Sequence, residues 1–179
     1  MSTPPASATP EPVSPEAPHP PFVLSPGPHV HAAETTARIM WTVNATLAPA
    51  ALWGAFVFGW RAALVLLASI AGAAGAEWLS ARALRSRPTL RDGSAVCTGL
   101  LLALTLPPLV PAWTALLGGA FGIAFGKMIF GGLGYNLFNP ALIGRAFMMA
   151  TFPLPMTAGW SSPKPWFAAV DAVTTATPL

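Results

Sequence analysis

The chain predicts an all-α, polytopic transmembrane helical protein, and three observations predict it. Charged residues make up only 8% of the 179, hydrophobic residues make up 54%, and mean hydropathy is +0.58. A soluble domain carries roughly a quarter charged residues, so this chain lacks the polar surface to cover a globule. About five apolar runs follow one another, several near the 20 or so residues that a spanning helix needs. Four arginines, Arg82, Arg85, Arg87 and Arg91, gather in one short connection, the pattern that marks a cytoplasmic loop. The net charge of +3 comes from nine cations scattered along the chain. They form no basic stripe, which argues against nucleic acid as a partner and leaves membrane lipid as the surrounding medium.

Residues 1–36 read as a disordered, proline-rich cytoplasmic tail. Ten of the 21 prolines fall in the first 30 residues, where they block helix and leave nothing to bury. The segment lacks the basic start and apolar centre of a signal peptide. His19, His29 and His31 lie in it or at its edge and read as solvated side chains, and no metal site is expected.

Residues 37–157 form the transmembrane helical region. A first span runs from Trp41 to Trp60, with Pro49 as a candidate kink and Trp41, Trp53 and Trp60 as interfacial anchors. Ala62 to Ala81 is the second, interrupted late by Glu77. Gly93 to Leu106 is apolar but short before Pro107-Pro108, so it is tilted, starts earlier, or is a broken or re-entrant helix. Trp113 to Phe130 is the fourth span. Its Gly118, Gly122 and Gly126 recur every fourth residue, giving a face for close helix contact, and Lys127 lies at its end. Gly131-Gly132-Leu133-Gly134-Tyr135 forms a turn, and Asn139-Pro140 suits an N-cap with proline in the first helical position. The last span covers Ala141 to Met156.

The arginine cluster fixes the end of the second span, and therefore the N-terminus, on the cytoplasmic side. If Gly93–Leu106 crosses, the fourth span ends inside at Lys127 and the fifth exits outside. Residues 158–179 then form an extracytoplasmic loop. Parity fails if the third segment is re-entrant.

No catalytic residues are expected. No serine has an elbow context, and the histidines sit in or beside the tail. Gly126-Lys127 is not a phosphate loop, because Phe121 and Met128 stand where Gly and Ser/Thr are required. The Gly131–Gly134 cluster fails the dinucleotide fingerprint at Leu137 and reads as a turn, with a hold on a flavin edge as the alternative. Charge in hydrocarbon costs at least about 2.5–3.5 kcal/mol, so Arg145, Glu77 and the polar Asn44 need partners. Arg145 either snorkels to the cytoplasmic interface or pairs with a carboxylate or cofactor phosphate. Glu77 suits a helix-surface pair with Arg82, and Asn44 suits a bond across helices.

The chain closes on a polar, hydroxyl-rich stretch, Asp171-Ala172-Val173-Thr174-Thr175-Ala176-Thr177-Pro178-Leu179. Read alone, such a stretch before proline is a turn. Its order, Asp-x-x-Thr-x-Ala-Thr, resembles the flavin-attachment motif of the RnfD/NqrB family, commonly Asp-x-x-Ser-x-Ala-Thr. Thr174 keeps the hydroxyl of the usual serine, whereas Thr175 stands where glycine is frequent. The resemblance extends upstream through Ala37-Arg38-Ile39-Met40, Thr89-Leu90-Arg91-Asp92-Gly93-Ser94-Ala95 and Thr98 to Ala103. It continues through Pro107-Pro108, Gly131 to Asn136 and Phe138-Asn139-Pro140-Ala141. The short N-terminal segment is more similar to RnfD-type than to NqrB-type members.

The resemblance implies an inner-membrane subunit of an ion-translocating ferredoxin:NAD⁺ oxidoreductase, working beside other Rnf subunits. It implies FMN held covalently as a phosphoester on Thr177, attached by a flavin transferase on the extracytoplasmic face. Asp171 would orient the loop or the transferase's metal, and Thr174 would bond the phosphate. The coupling ion, Na⁺ or H⁺, is not identified. Family members continue for about as many residues again, so the expectation is an N-terminal fragment. Two rival classes stay open: a channel or solute transporter, which broken helices suit, and a scaffold subunit that never receives flavin.

Overall fold

The structure is a computed structural model and describes residues 35–83 and 90–163. Within them the chain is helical: α1 (Thr36–Phe58), α2 (Trp60–Ala83), a 3₁₀ turn (Leu90–Asp92), α3 (Ser94–Thr105), α4 (Ala112–Ile123), a π turn (Ala124–Met128) that prolongs α4, α5 (Pro140–Thr151) and α6 (Pro153–Ala158). The all-α expectation holds. Two helices, α1 and α2, are long and apolar enough to cross a membrane. Helix α1 opens at Thr36, where the Thr35 side chain caps it by accepting from the Arg38 amide. Residues 1–34 and 164–179 lie outside the described part, and with them the tail and the acceptor stretch.

Each break has a local cause. Helix α1 runs through Pro49 and stops at Gly59, whose φ of +82° is left-handed backbone that a residue with a Cβ adopts only under strain. Gly93, with φ of +76°, turns the chain into α3 in the same way. Pro107 and Pro108 prevent α3 from continuing. Asn139 caps α5 through its Oδ1, which accepts from the Ala141 amide at 2.9 Å, with Pro140 in the first turn as expected. The single span expected over 141–156 is in fact two helices. Pro153 excludes α geometry at Phe152, which sits at φ −128° and ψ 58°, and α6 restarts behind it. The glycine turn takes positive φ at Gly131, Gly132 and Gly134.

Helix α2 is the centre of the bundle, because small residues let its neighbours approach backbone to backbone. A Cβ at Gly72 would collide with the Leu116 carbonyl, and one at Gly119 with the Ser69 carbonyl. A Cβ at Gly99 would stand 2.5 Å from the Ile70 Cα. Ser69 Oγ closes the same seam by donating to the Gly99 carbonyl at 2.9 Å. The predicted glycine face of α4 meets α5: Gly118 lies under Met148, and Gly122 and Gly126 lie under Pro140. Lipid is as apolar as leucine, so close packing of this kind, rather than escape from water, holds membrane helices together. Around it sits a core of Val65, Leu102, Leu106, Val110, Ala115, Ala141, Met148 and Met156, with Ala73, Ala95 and Ile123 as a second cluster.

Helix α3 runs along the bundle from the start of α1 toward the α1–α2 turn. Its start lies beside α1, where Trp41 Nε1 donates to the Arg91 carbonyl (3.1 Å) and Asn44 Nδ2 to the Gly93 carbonyl (2.9 Å). Its far end runs into the Pro107–Pro111 turn, where the Leu109 amide donates to the Gly159 carbonyl (3.1 Å). Trp60, Arg61 and Leu109–Ala112 gather around one hollow, so the α1–α2 turn is at that end too. At about 18 Å for its 12 residues, α3 is half the length of α2.

Candidate functional site

The predicted acceptor residues Asp171, Thr174 and Thr177 lie outside the described residues. The structure does describe the exit from which the chain runs toward them. Gly159 ends α6 against Leu109, and Trp160 stands beside Phe58, Ala62 and Pro108. The last described residues therefore leave at the end of the bundle that holds the α1–α2 turn. That end is opposite Ala83 and Arg91, which flank the arginine-rich connection.

The second functional feature is a buried polar junction that joins four elements. The Lys127 ammonium, 1% exposed, lies 2.9 Å from Glu77 Oε1, and Glu77 is 0% exposed. The same ammonium donates to Ser94 Oγ at 2.6 Å. Asp92 Oδ1 then accepts from both the Ser94 amide (2.8 Å) and the Ser94 hydroxyl (2.6 Å), which fixes the first turn of α3. Asn44 ties α1 to the neighbouring Gly93 carbonyl, and its own Oδ1 is buried without a hydrogen-bond partner in the structure. Moving two such charges out of water costs several kcal/mol per ion, and close pairing with added hydrogen bonds offsets this.

The π turn explains how Lys127 reaches the junction. It inserts an extra residue into the last turn of α4, a distortion frequently associated with function. Expected as a surface charge at the end of the fourth span, Lys127 is instead buried against α2 and α3. It is an internal counter-charge rather than a marker of the membrane face. Glu77 likewise takes Lys127 as its carboxylate partner, not the expected Arg82. The Arg82 guanidinium lies 5.5 Å from the centre of the Trp78 ring. Burial on the α3–α4 side decides this, because Arg82 is in the last turn of α2, close to solvent.

Arg145 also departs from expectation. Rather than snorkelling to the near interface, its guanidinium donates to the Thr105 carbonyl at the last residue of α3. A cation there supplies the helix end with a donor and complements the helix dipole. Asn44 bonds across helices as expected. In the glycine turn, amide bonds run inward: Gly131 to Met128, Gly132 to Lys127 and Gly134 to Asn136. These amides are committed to the turn, which removes the basis for a flavin edge held there. Sequence reasoning missed the Lys127–Glu77 pair. Its signal was two opposite charges, each set within or at the end of an apolar run.

Comparison with known proteins places this geometry in a family context. The family model described as NQR2, RnfD, RnfE family matches residues 23–179. Curated relatives include the D component of the proton-translocating ferredoxin:NAD(+) oxidoreductase complex of Clostridium ljungdahlii. It is 46% identical over 88% of this chain and 47% of its own length. The D component of the Na(+)-translocating ferredoxin:NAD(+) oxidoreductase complex of Acetobacterium woodii is 43% identical over 88% of this chain and 48% of its own. That of the ion-translocating oxidoreductase complex of Rhodobacter capsulatus is 42% identical over 76% of this chain and 38% of its own. The chain thus spans about half or less of the length of the relatives it matches.

Proposed function

We propose that this chain, which belongs to the NQR2, RnfD, RnfE family, is a membrane subunit of an ion-translocating ferredoxin:NAD⁺ oxidoreductase that carries FMN covalently on Thr177. It would not be catalytic alone, and would work with the other subunits of an Rnf-type complex in the inner membrane. The acceptor stretch Asp171–Thr177 carries the reading, and the exit of the chain opposite the arginine-flanked end supports an extracytoplasmic position for it.

The donor set fits the group. A threonine hydroxyl forms a phosphoester that leaves the isoalloxazine free on a ribityl arm, and Thr174 offers a second hydroxyl to the phosphate. Asp171 is the carboxylate that would orient the segment or the metal of the attaching transferase. When bound, the flavin supplies reversible electron acceptance; the chain's own residues supply attachment and position. Covalent attachment prevents loss by diffusion and keeps the electron route at a fixed length.

The relatives' names give both a proton and a sodium ion for closely similar chains, at 46% and 43% identity, so overall likeness does not select the ion. The Lys127–Glu77 junction favours coupling over a purely structural role, since ionisable groups inside membrane helices are functional by default. In-gel flavin fluorescence after denaturation tests the acceptor. With the flavin transferase co-expressed, the wild type gives a fluorescent band and Thr177→Ala gives none. A band that persists in Thr177→Ala excludes Thr177 as the acceptor.

A further inference from the structure

Among the described residues, three exposed arginines, Arg38, Arg82 and Arg91, stand at one end of the bundle, and one, Arg61, stands at the other. Two of the three are set on tryptophan. The Arg82 guanidinium lies 5.5 Å from the centre of the Trp78 ring, and Trp41 Nε1 donates to the Arg91 carbonyl at 3.1 Å. Both rings are about half exposed. Trp41 and Trp78 each lie five residues inside their helix end, about 7.5 Å along the axis, so the two rings share a depth. Leu90, next to Arg91, packs against the buried cluster that holds Ala73, which brings the 3₁₀ turn up to α2.

We propose that this end binds the headgroup of an anionic phospholipid, one whose phosphodiester carries no compensating amine. Arg82 and Arg91 take the phosphate, and the exposed Trp78 ring lies against the lipid below it. Charge is the first reason. Among the described residues the carboxylates are Glu77 and Asp92. Glu77 is buried on Lys127, and Asp92 Oδ1 accepts from the amide and hydroxyl of Ser94. No described carboxylate pairs with Arg82 or Arg91, so their charge faces outward uncompensated.

Depth is the second, and it selects lipid over an acidic protein. Tryptophan in membrane helices sits at headgroup level. A guanidinium laid on an indole face is held at that level rather than extended into water, where a soluble partner would meet it. Its N–H edge stays available, and that edge matches the paired oxygens of a phosphate. Each cation near an anionic leaflet adds about fivefold in affinity, so the pair is worth about 25-fold over a neutral lipid.

The experiment equilibrates the full chain in detergent with equal amounts of phosphatidylglycerol and phosphatidylcholine and counts retained lipid by native mass spectrometry. The wild type retains phosphatidylglycerol at least tenfold over phosphatidylcholine. Arg82→Gln combined with Arg91→Gln brings the two lipids close to parity, whereas Arg82→Lys with Arg91→Lys keeps most of the preference. Arg61→Gln is the control, because Arg61 lies 5.6 Å from the Trp60 ring at the opposite end, and it leaves the preference unchanged. Equal retention of both lipids by the wild type overturns the proposal. So does an unaltered preference in the double glutamine variant, or a loss in Arg61→Gln as large as the double variant's.

A second arm needs no variant. In nanodiscs of the same two lipids, raising the salt lowers the wild type's preference for phosphatidylglycerol several-fold, since exposed charges are screened. A preference that ignores salt overturns the arginine contact. A wild type without lipid preference, from which the double glutamine variant sheds a partner subunit, also overturns it and assigns the surface to an acidic protein.

Discussion

The two ends of α3 show opposite ways of finishing a short helix inside an apolar bundle. Its start is set in a junction whose ion pair is fully buried: Lys127 reaches Ser94 and Glu77, and the partly buried Asp92 holds the first turn. Its finish is met by a single cation, Arg145, on the Thr105 carbonyl, at a partly buried position beside the Pro107-Pro108 turn. A helix of 12 residues cannot carry both its termini to the two membrane faces, so unsatisfied amides and carbonyls lie at depth and need partners. At the start the partner is an ion pair whose two members depend on each other. At the finish one guanidinium serves, and water can replace part of what it gives. The first end should therefore be far more sensitive to substitution than the second.

Lys127→Met tests the strong end most severely. It leaves the Glu77 carboxylate buried without its lysine, a change that costs about 3–5 kcal/mol. A large drop in the thermal midpoint in detergent is the expected result. Combining it with Glu77→Leu should recover much of that loss, because an apolar pair of similar volume is often neutral or stabilising. Failure of the double variant to recover would show that the junction is held by more than the ion pair.

Ser94→Ala is the intermediate case. It removes an acceptor from Lys127 and a hydroxyl from Asp92 but spares the Ser94 amide, at an expected cost of about 1–3 kcal/mol in chemical unfolding. Arg145→Met should have the smallest effect, about 0.5–1.5 kcal/mol, since only one carbonyl loses its donor. A loss at Arg145 equal to that at Lys127 would erase the distinction between the two ends.

Legibility from sequence follows the range of the interactions. The Asn139-Pro140 cap, the glycine turn and the stop at Pro107-Pro108 rest on backbone rules within a few residues, and all three appear in the structure. The break at Pro153 obeys the same rule, but a largely apolar run from Ala141 to Met156 hides it. Helical spacing offers Glu77 a partner in Arg82 five residues on, whereas its actual partner, Lys127, is 50 residues away. Arg145 is hard to read for a related reason. Sequence position puts it near the start of the fifth span, but its long side chain reaches toward the far end of α3.

By itself the sequence determined the helical class, the membrane setting and the family. Each is carried by composition, by contiguous motifs or by period along one segment. Only the tertiary structure decided how α3 lies against α1 and α2, that Lys127 and Glu77 neutralise each other in the interior, and that a cavity opens beside Trp160. These depend on which helix faces meet. That is set by where glycine and serine allow backbones to touch, as Gly72 does at Leu116 and Gly119 at Ser69. Hydropathy along a single run does not encode it, since α1 and α2 are both long apolar helices and only α2 became the centre.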